Sequence, residues 1–172
     1  MDFMPLIEAR YSVRRFSPRQ VEQDKLDAIL RAGMLAPTAV ARQPQKLLVL
    51  RSAEALEKLK GCTASHFDCT LAVIVCYDPA LSWKRRFDGQ DSGWVDASIV
   101  TDHMMLAATE LGVGSTWVMS FDPAALREAF AIPEALVPVS ILVMGYPADD
   151  AAPGSLHGRC KPLDEVVRYD SY

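Results

Sequence analysis

The chain has 172 residues, 50% of them hydrophobic and 23% charged, with a formal net charge of −4. That length supports one substantial core and hence a single domain over 1–172, and the apolar share excludes a disordered chain. With basic residues only in short clusters, the acidic balance excludes nucleic acid and anionic membrane as partners.

Residues 3–9 read as a short helix and 20–35 as a longer one, with Leu26, Ile29, Leu30 and Met34 at helical spacing and Pro37 as the stop. Residues 45–51 read as a strand, after which Ser52 caps a helix running to about Leu59, with Glu54 and Glu57 favourable near its start. The near-continuous apolar run 70–77 predicts a strand covered on both faces. The stretch 78–95 carries Pro79, Gly89 and Gly93, the basic Lys84-Arg85-Arg86 and the aromatics Trp83, Phe87 and Trp94, a mixture suited to an excursion over a site. Asp96 then caps a helix through Leu111 that is apolar on most sides, which requires burial or an interface. Residues 115–119 are strand-like, and Asp122-Pro123 predicts an N-cap and first-turn proline for a helix to Phe130. Residues 137–145 complete the core strands, and 147–172 form a Pro/Gly-punctuated C-terminal extension ending near Val166-Val167. Strands interleaved with helices indicate an α+β or α/β sandwich.

Cys62, Cys69, Cys76 and Cys160 form no Cys-x-x-Cys pair and predict reduced thiols. Cys62, His66 and Cys69 lack regular ligand spacing, so no metal site is expected. His103 on an apolar helix and His157 in a Gly-flanked loop read as structural. No apolar run is long enough to span a bilayer and Met1-Asp2 is no basic leader, so a soluble cytoplasmic protein is expected. Gly112-Val113-Gly114 ends a helix and opens a strand, the reverse of a dinucleotide fingerprint.

Arg10-Tyr11-Ser12-Val13-Arg14-Arg15-Phe16 places three arginines and a serine in seven residues. Guanidinium forks and a short hydroxyl match a phosphate, although a solvated charged turn has the same composition. The segment resembles the signature of the nitroreductase family, and three further matches follow in order. They are 36–44 (Ala-Pro-Thr-Ala-Val-Ala-Arg-Gln-Pro), 110–118 around Gly112 and Gly114, and 161–167 beginning Lys161-Pro162.

The resemblance implies a nitroreductase-like fold, with a mixed central sheet flanked by helices. It also implies an intertwined homodimer with FMN at the subunit interface and the helix after Asp96 as its spine; a plain core helix is the other reading. On the matching positions, Arg10, Tyr11 through its backbone, Ser12 and Arg14 contact the phosphate, ribityl and pyrimidine parts of FMN. Pro37, Thr38 and Ala39 line the flavin from the opposite subunit with Gln43 supporting their loop, unless they are only a helix-ending turn. Met119 and Ser120 carry the backbone N–H aimed at flavin N5, and Arg159 and Lys161 reach the phosphate. Ala41, Gln45 and Cys160 depart from the family pattern, which commonly has Asn, an aromatic residue and Arg there.

By the same resemblance the expected activity is ping-pong reduction of nitroaromatics, quinones or related conjugated acceptors by NADH or NADPH. The flavin carries the hydride and no protein side chain is catalytic. Reductive dehalogenation, enoate-type reduction, flavin fragmentation and flavin carriage without turnover are the alternatives. Residues 83–87 are a candidate lid: Trp83 and Phe87 would cover the cleft, and Arg85 and Arg86 beside Lys84 would attract anionic substrates. A solvated charged turn is the other reading of that stretch.

Overall fold

In the computed structural model, which describes residues 2–172, the first half of the chain runs α1 (Phe3–Ala9), α2 (Gln23–Met34), β1 (Gln45–Leu50), α3 (Ala53–Lys60) and β2 (Leu71–Tyr77). The second half runs α4 (Gly93–Glu110), β3 (Gly114–Val118), α5 (Pro123–Phe130), β4 (Val137–Gly145) and α6 (Leu163–Val166). Met1 lies outside the described residues.

The helix caps follow local chemistry. Ser52 Oγ accepts the Ala55 amide at 3.1 Å, and Asp122 Oδ1 accepts the amides of Ala124 and Ala125 with Pro123 in the first turn. Both caps stand where the sequence places them. Helix α4 starts three residues before Asp96, because Gly93 lets its first turn lie against the Tyr77 ring: a Cβ on Gly93 would sit 2.0 Å from Tyr77 Cε2. Asp96 therefore belongs to the first turn rather than capping it.

The strands form one sheet in the order β1-β2-β4-β3, antiparallel at each pairing. The ladder is thus not mixed. Both β2 and β3 oppose β4, which inserts between them, and parallel pairing among the described residues is confined to the bridge between Ser12 and Ser115. Every residue of β2 is buried, as the unbroken apolar run requires of a strand covered on both faces.

Alternation splits the core into two layers. Leu71, Val73 and Val75 join Leu26 and Ile29 of α2 and Val100 and Met104 of α4 on one face. Ala72, Ile74 and Cys76 join Leu59 of α3 and Leu126 of α5 on the other. Burying one such aliphatic side chain contributes about 1.5–3 kcal/mol. A bulge between Val75 and Cys76 shifts the register against β4, and Ser140 Oγ there meets Thr101 Oγ1 of α4 at 2.9 Å. No helix among the described residues is long and apolar enough to cross a membrane.

Candidate functional site

The basic segment is held against the outer edge of β3. Helix α1 stops at Ala9, and the chain then runs extended: Ser12 bridges Ser115, the Val13 amide donates to the Ser115 carbonyl at 2.9 Å, and Thr116 Oγ1 donates to the Val13 carbonyl at 2.6 Å. Farther on, Phe16 bridges Pro147, and the Ala148 amide donates to the Arg15 carbonyl at 3.0 Å. Val13 turns inward at 2% exposure, and a Cβ on Gly114 would come within 2.7 Å of its Cγ2. Only glycine permits that approach without a shift. With Val13 inside, Ser12 and Arg14 line a cleft of about 940 Å³, across from the loop carrying His157, Arg159 and Cys160.

Arg10, Arg14 and Arg159 all line this cleft. Among the described residues none of the three makes an ion pair, and the Arg14 side chain reaches only the Ser12 carbonyl, at 3.4 Å. Among the described residues Glu8 is the single carboxylate on the wall. Three guanidiniums against one carboxylate, with the Ser12 hydroxyl, give a donor set that fits a phosphate group. Arg15 is spent on Asp150 at 2.5 Å. Tyr11 packs edge-on to His157 with ring centroids 6.2 Å apart. Lys161 lies outside the cleft lining, 3.6 Å from the Glu165 carboxylate.

Pro37, Thr38 and Ala39 line a second, smaller cleft of about 370 Å³ with Trp83, Val95 and Ile99. The two clefts have no lining residue in common, so one chain does not bring Pro37–Ala39 to Arg10. The turn after Thr38 is held by the Gln43 amide donating to Thr38 Oγ1 at 3.0 Å and the Ala39 amide donating to Asp96 Oδ1 at 2.8 Å. Val40, Ala41 and Gln43 all take left-handed φ angles there. Met119 and Ser120, just past β3, are exposed and line neither cleft; the Ser120 carbonyl accepts Thr63 Oγ1 at 2.6 Å.

Residues 83–92 fold back as a hairpin, with the Arg85 amide donating to the Gln90 carbonyl and the Ser92 amide to the Trp83 carbonyl. Arg85 is paired with Asp88, Nε to Oδ1 at 2.7 Å, so its charge is answered within the turn; Arg86 and Lys84 make no ion pair among the described residues. Phe87 at the tip is 96% exposed. Asp91, not among the residues expected from the sequence, accepts the Ser82 hydroxyl and the Gly93 amide, and Asp96, expected as a cap, accepts the Ala39 amide. Two carboxylates flanking a glycine at the start of an apolar helix were the available signal. Cys62, His66 and Cys69 do not converge: among the described residues no group of three His, Cys, Asp or Glu side chains could hold a metal.

Fold and clefts together define a three-layer α+β protein with a basic, phosphate-matching cleft along one edge of its sheet. The family model described as Nitroreductase family matches residues 7–70 and 63–146. The chain belongs to the nitroreductase family. A protein of Archaeoglobus fulgidus that carries the name NADH dehydrogenase/NAD(P)H nitroreductase is 37% identical over 155 residues, 86% of this chain and 86% of its own length. A nitroreductase family protein of Clostridium difficile 630 superimposes with a TM-score of 0.93 at 43% identity, covering 100% of both chains. A Desulfovibrio desulfuricans protein solved in complex with FMN superimposes with a TM-score of 0.83 over 98% of this chain and 96% of its own; at 24% identity that likeness concerns the fold alone.

Proposed function

We propose that this protein is an FMN-dependent oxidoreductase that takes electrons from NADH or NADPH and delivers them to nitroaromatics, quinones or related conjugated acceptors in a ping-pong cycle. The observation that carries this reading is the unanswered charge of Arg10, Arg14 and Arg159 beside the Ser12 hydroxyl, in a chain of the nitroreductase family. Bound FMN supplies the hydride chemistry, so the fold has only to bind, orient and shield.

In this reading Arg10, Arg14 and Arg159 hold the phosphate through charge-assisted bonds, and Ser12 adds a neutral donor. The Tyr11 backbone borders the same segment, and Lys161 joins only by releasing Glu165. Pro37, Thr38 and Ala39 of a second copy close the opposite wall, with Gln43 bracing their turn. Met119 and Ser120 offer backbone donors beyond β3. Trp83, Arg86 and Phe87 act as the lid, with Arg85 serving to hold the hairpin in shape through Asp88.

A homodimer is part of the proposal. It is supported by the exposed Leu35, Val40, Trp94 and Val95, by the exposed apolar side chains of the 163–172 tail, and by the separation of the two clefts within one chain. The four free thiols suit a reducing compartment such as the cytoplasm.

The test is the visible spectrum of the purified protein before and after anaerobic NADPH, then NADH. Flavin bands that bleach and return on adding a nitroaromatic or quinone support the reading. A bound flavin inert to both reductants would point to carriage or a specialised reductant, and a colourless protein that cannot be reconstituted with FMN would overturn it.

A further inference from the structure

Among the described residues Asp96 is a buried carboxylate with no cation partner. It is 2% exposed, and its two oxygens are divided between two donors: Oδ1 accepts the Ala39 amide at 2.8 Å and Oδ2 the Ser92 hydroxyl at 2.8 Å. No ion pair reaches it among the described residues. A carboxyl group buried without a counter-charge is retained at a cost, which a hydrophobic residue in the same helix turn would avoid. The first turn of α4 favours a carboxylate, and from there Asp96 directs Oδ1 at the Ala39 amide.

Ala39 opens the turn following Thr38. Val40 has φ 48° and ψ 31°, a β-branched residue in the left-handed region, and Ala41 and Gln43 follow at φ 56° and 47°. Such a run persists only where its surroundings over-determine it. Two of the bonds that do so are internal, from the Gln43 amide to Thr38 Oγ1 and from the Ala41 amide to the Thr38 carbonyl. Among the described residues the Asp96 bond fastens the turn to α4. At the same helix end Asp91 accepts the Gly93 amide at 2.7 Å and the Ser82 hydroxyl at 2.8 Å, so the hairpin is tied to the same point.

We infer that Asp96 is a positioning residue. By holding the Ala39 amide it sets where Pro37, Thr38 and Ala39 stand against the hairpin, and so the width of the wall that meets the electron acceptor. The kinetic consequence rests on the oxidoreductase reading; the structural one does not.

The experiment uses the full chain, loaded with FMN, as Asp96→Ala, Asp96→Asn, Ala39→Pro and the Asp96→Ala/Ala39→Pro double variant. Amide exchange by NMR, bound-flavin content, and KM and kcat for benzoquinone are read on each. Asp96→Asn keeps one carbonyl oxygen for Ala39. Ala39→Pro removes the donor, and Thr38 already has the extended backbone, φ −128° and ψ 156°, that a residue before proline requires.

In Asp96→Ala, exchange at Ala39 is expected to rise at least about tenfold, with KM rising about tenfold, kcat within about twofold and flavin content kept. Asp96→Asn restores both. Ala39→Pro reproduces the KM change, and the double variant adds nothing to it. Additive effects in the double variant, or Ala39 exchange that ignores Asp96→Ala, overturn the inference; so does a joint loss of flavin, KM and kcat that Asn does not rescue. If Asp96→Ala fails to fold, Ala39→Pro against Asp96→Asn decides the matter by KM. A wild-type protein that takes up no flavin ends the oxidoreductase reading, while exchange at Ala39 still decides what Asp96 holds.

Discussion

Thr116 on β3 donates its hydroxyl to the Val13 carbonyl at 2.6 Å, fastening the segment that carries Arg10, Ser12 and Arg14 to the sheet by a side chain as well as by backbone pairing. Both groups are buried, so the bond has no solvent substitute. Thr116→Val keeps the shape and removes the donor, leaving the carbonyl without it. A loss of about 1–3 kcal/mol is expected from urea denaturation. An unchanged midpoint would show that the segment is held by its backbone bonds alone.

Arg10→Ala combined with Ser12→Ala removes one charged and one neutral donor from the cleft. FMN affinity, read by quenching of flavin fluorescence on binding, should weaken by about 100-fold or more, at about 1.5–3 kcal/mol for the charged bond and about 1 for the neutral one. Equal affinity in variant and parent would remove the phosphate assignment.

Acid should loosen the link between α2 and the end of β4. The Glu22 carboxyl accepts the Tyr146 hydroxyl at 2.5 Å and Arg19 Nη2 at 2.6 Å, and these bonds, Tyr146 first, lower its pKa from 4.5 to about 2. A group held below its unfolded value stabilises the fold fully above about pH 4.5, and that contribution disappears as pH falls from there through about 2. Denaturant midpoints measured across this window should fall with acid, and fall less steeply in Tyr146→Phe. Parallel profiles for the two proteins would contradict the linkage.

Gly93→Ala places a methyl group 2.0 Å from Tyr77 Cε2. The ring or the first turn of α4 must move, at a cost of about 1–3 kcal/mol. Thermal melts should show Gly93→Ala destabilised and the Gly93→Ala/Tyr77→Ala double variant less so than the two single losses combined. Full additivity would mean that the two residues do not share the space.

Sedimentation equilibrium should report a dimer at micromolar concentration. A monomer fully loaded with flavin would sink the two-chain site, because it would have to bring Pro37–Ala39 to Arg10 within one protomer.

Local signals made much of this legible in the sequence. Ser52 and Asp122-Pro123 cap their helices through contacts within three residues, the apolar run of β2 announces a strand covered on both faces, and that of β4 a core strand. The start of α4 was misplaced by about a turn because it is fixed from a distance, by Tyr77 receiving Gly93. For the same reason the pairing order, with β4 between β2 and β3, has no local mark. Arg85, expected to attract anionic substrates unless the stretch is only a charged turn, pairs with Asp88 three residues away. Nothing in Val40 suggests a left-handed backbone, since its type opposes one; the bonds that accompany it are made by its neighbours to Thr38 and to the distant Asp96.

The cysteines divide sharply by environment. Cys62, Cys69 and Cys76 are buried, and desolvation pushes the thiols of Cys69 and Cys76 up to about 11, leaving almost no thiolate at neutral pH. Cys160 is exposed and sits on the wall of the basic cleft. The native chain therefore offers a single addressable labelling point, already located where a reporter is wanted. A thiol-reactive fluorophore attached to the unaltered protein would register whatever enters or leaves that cleft.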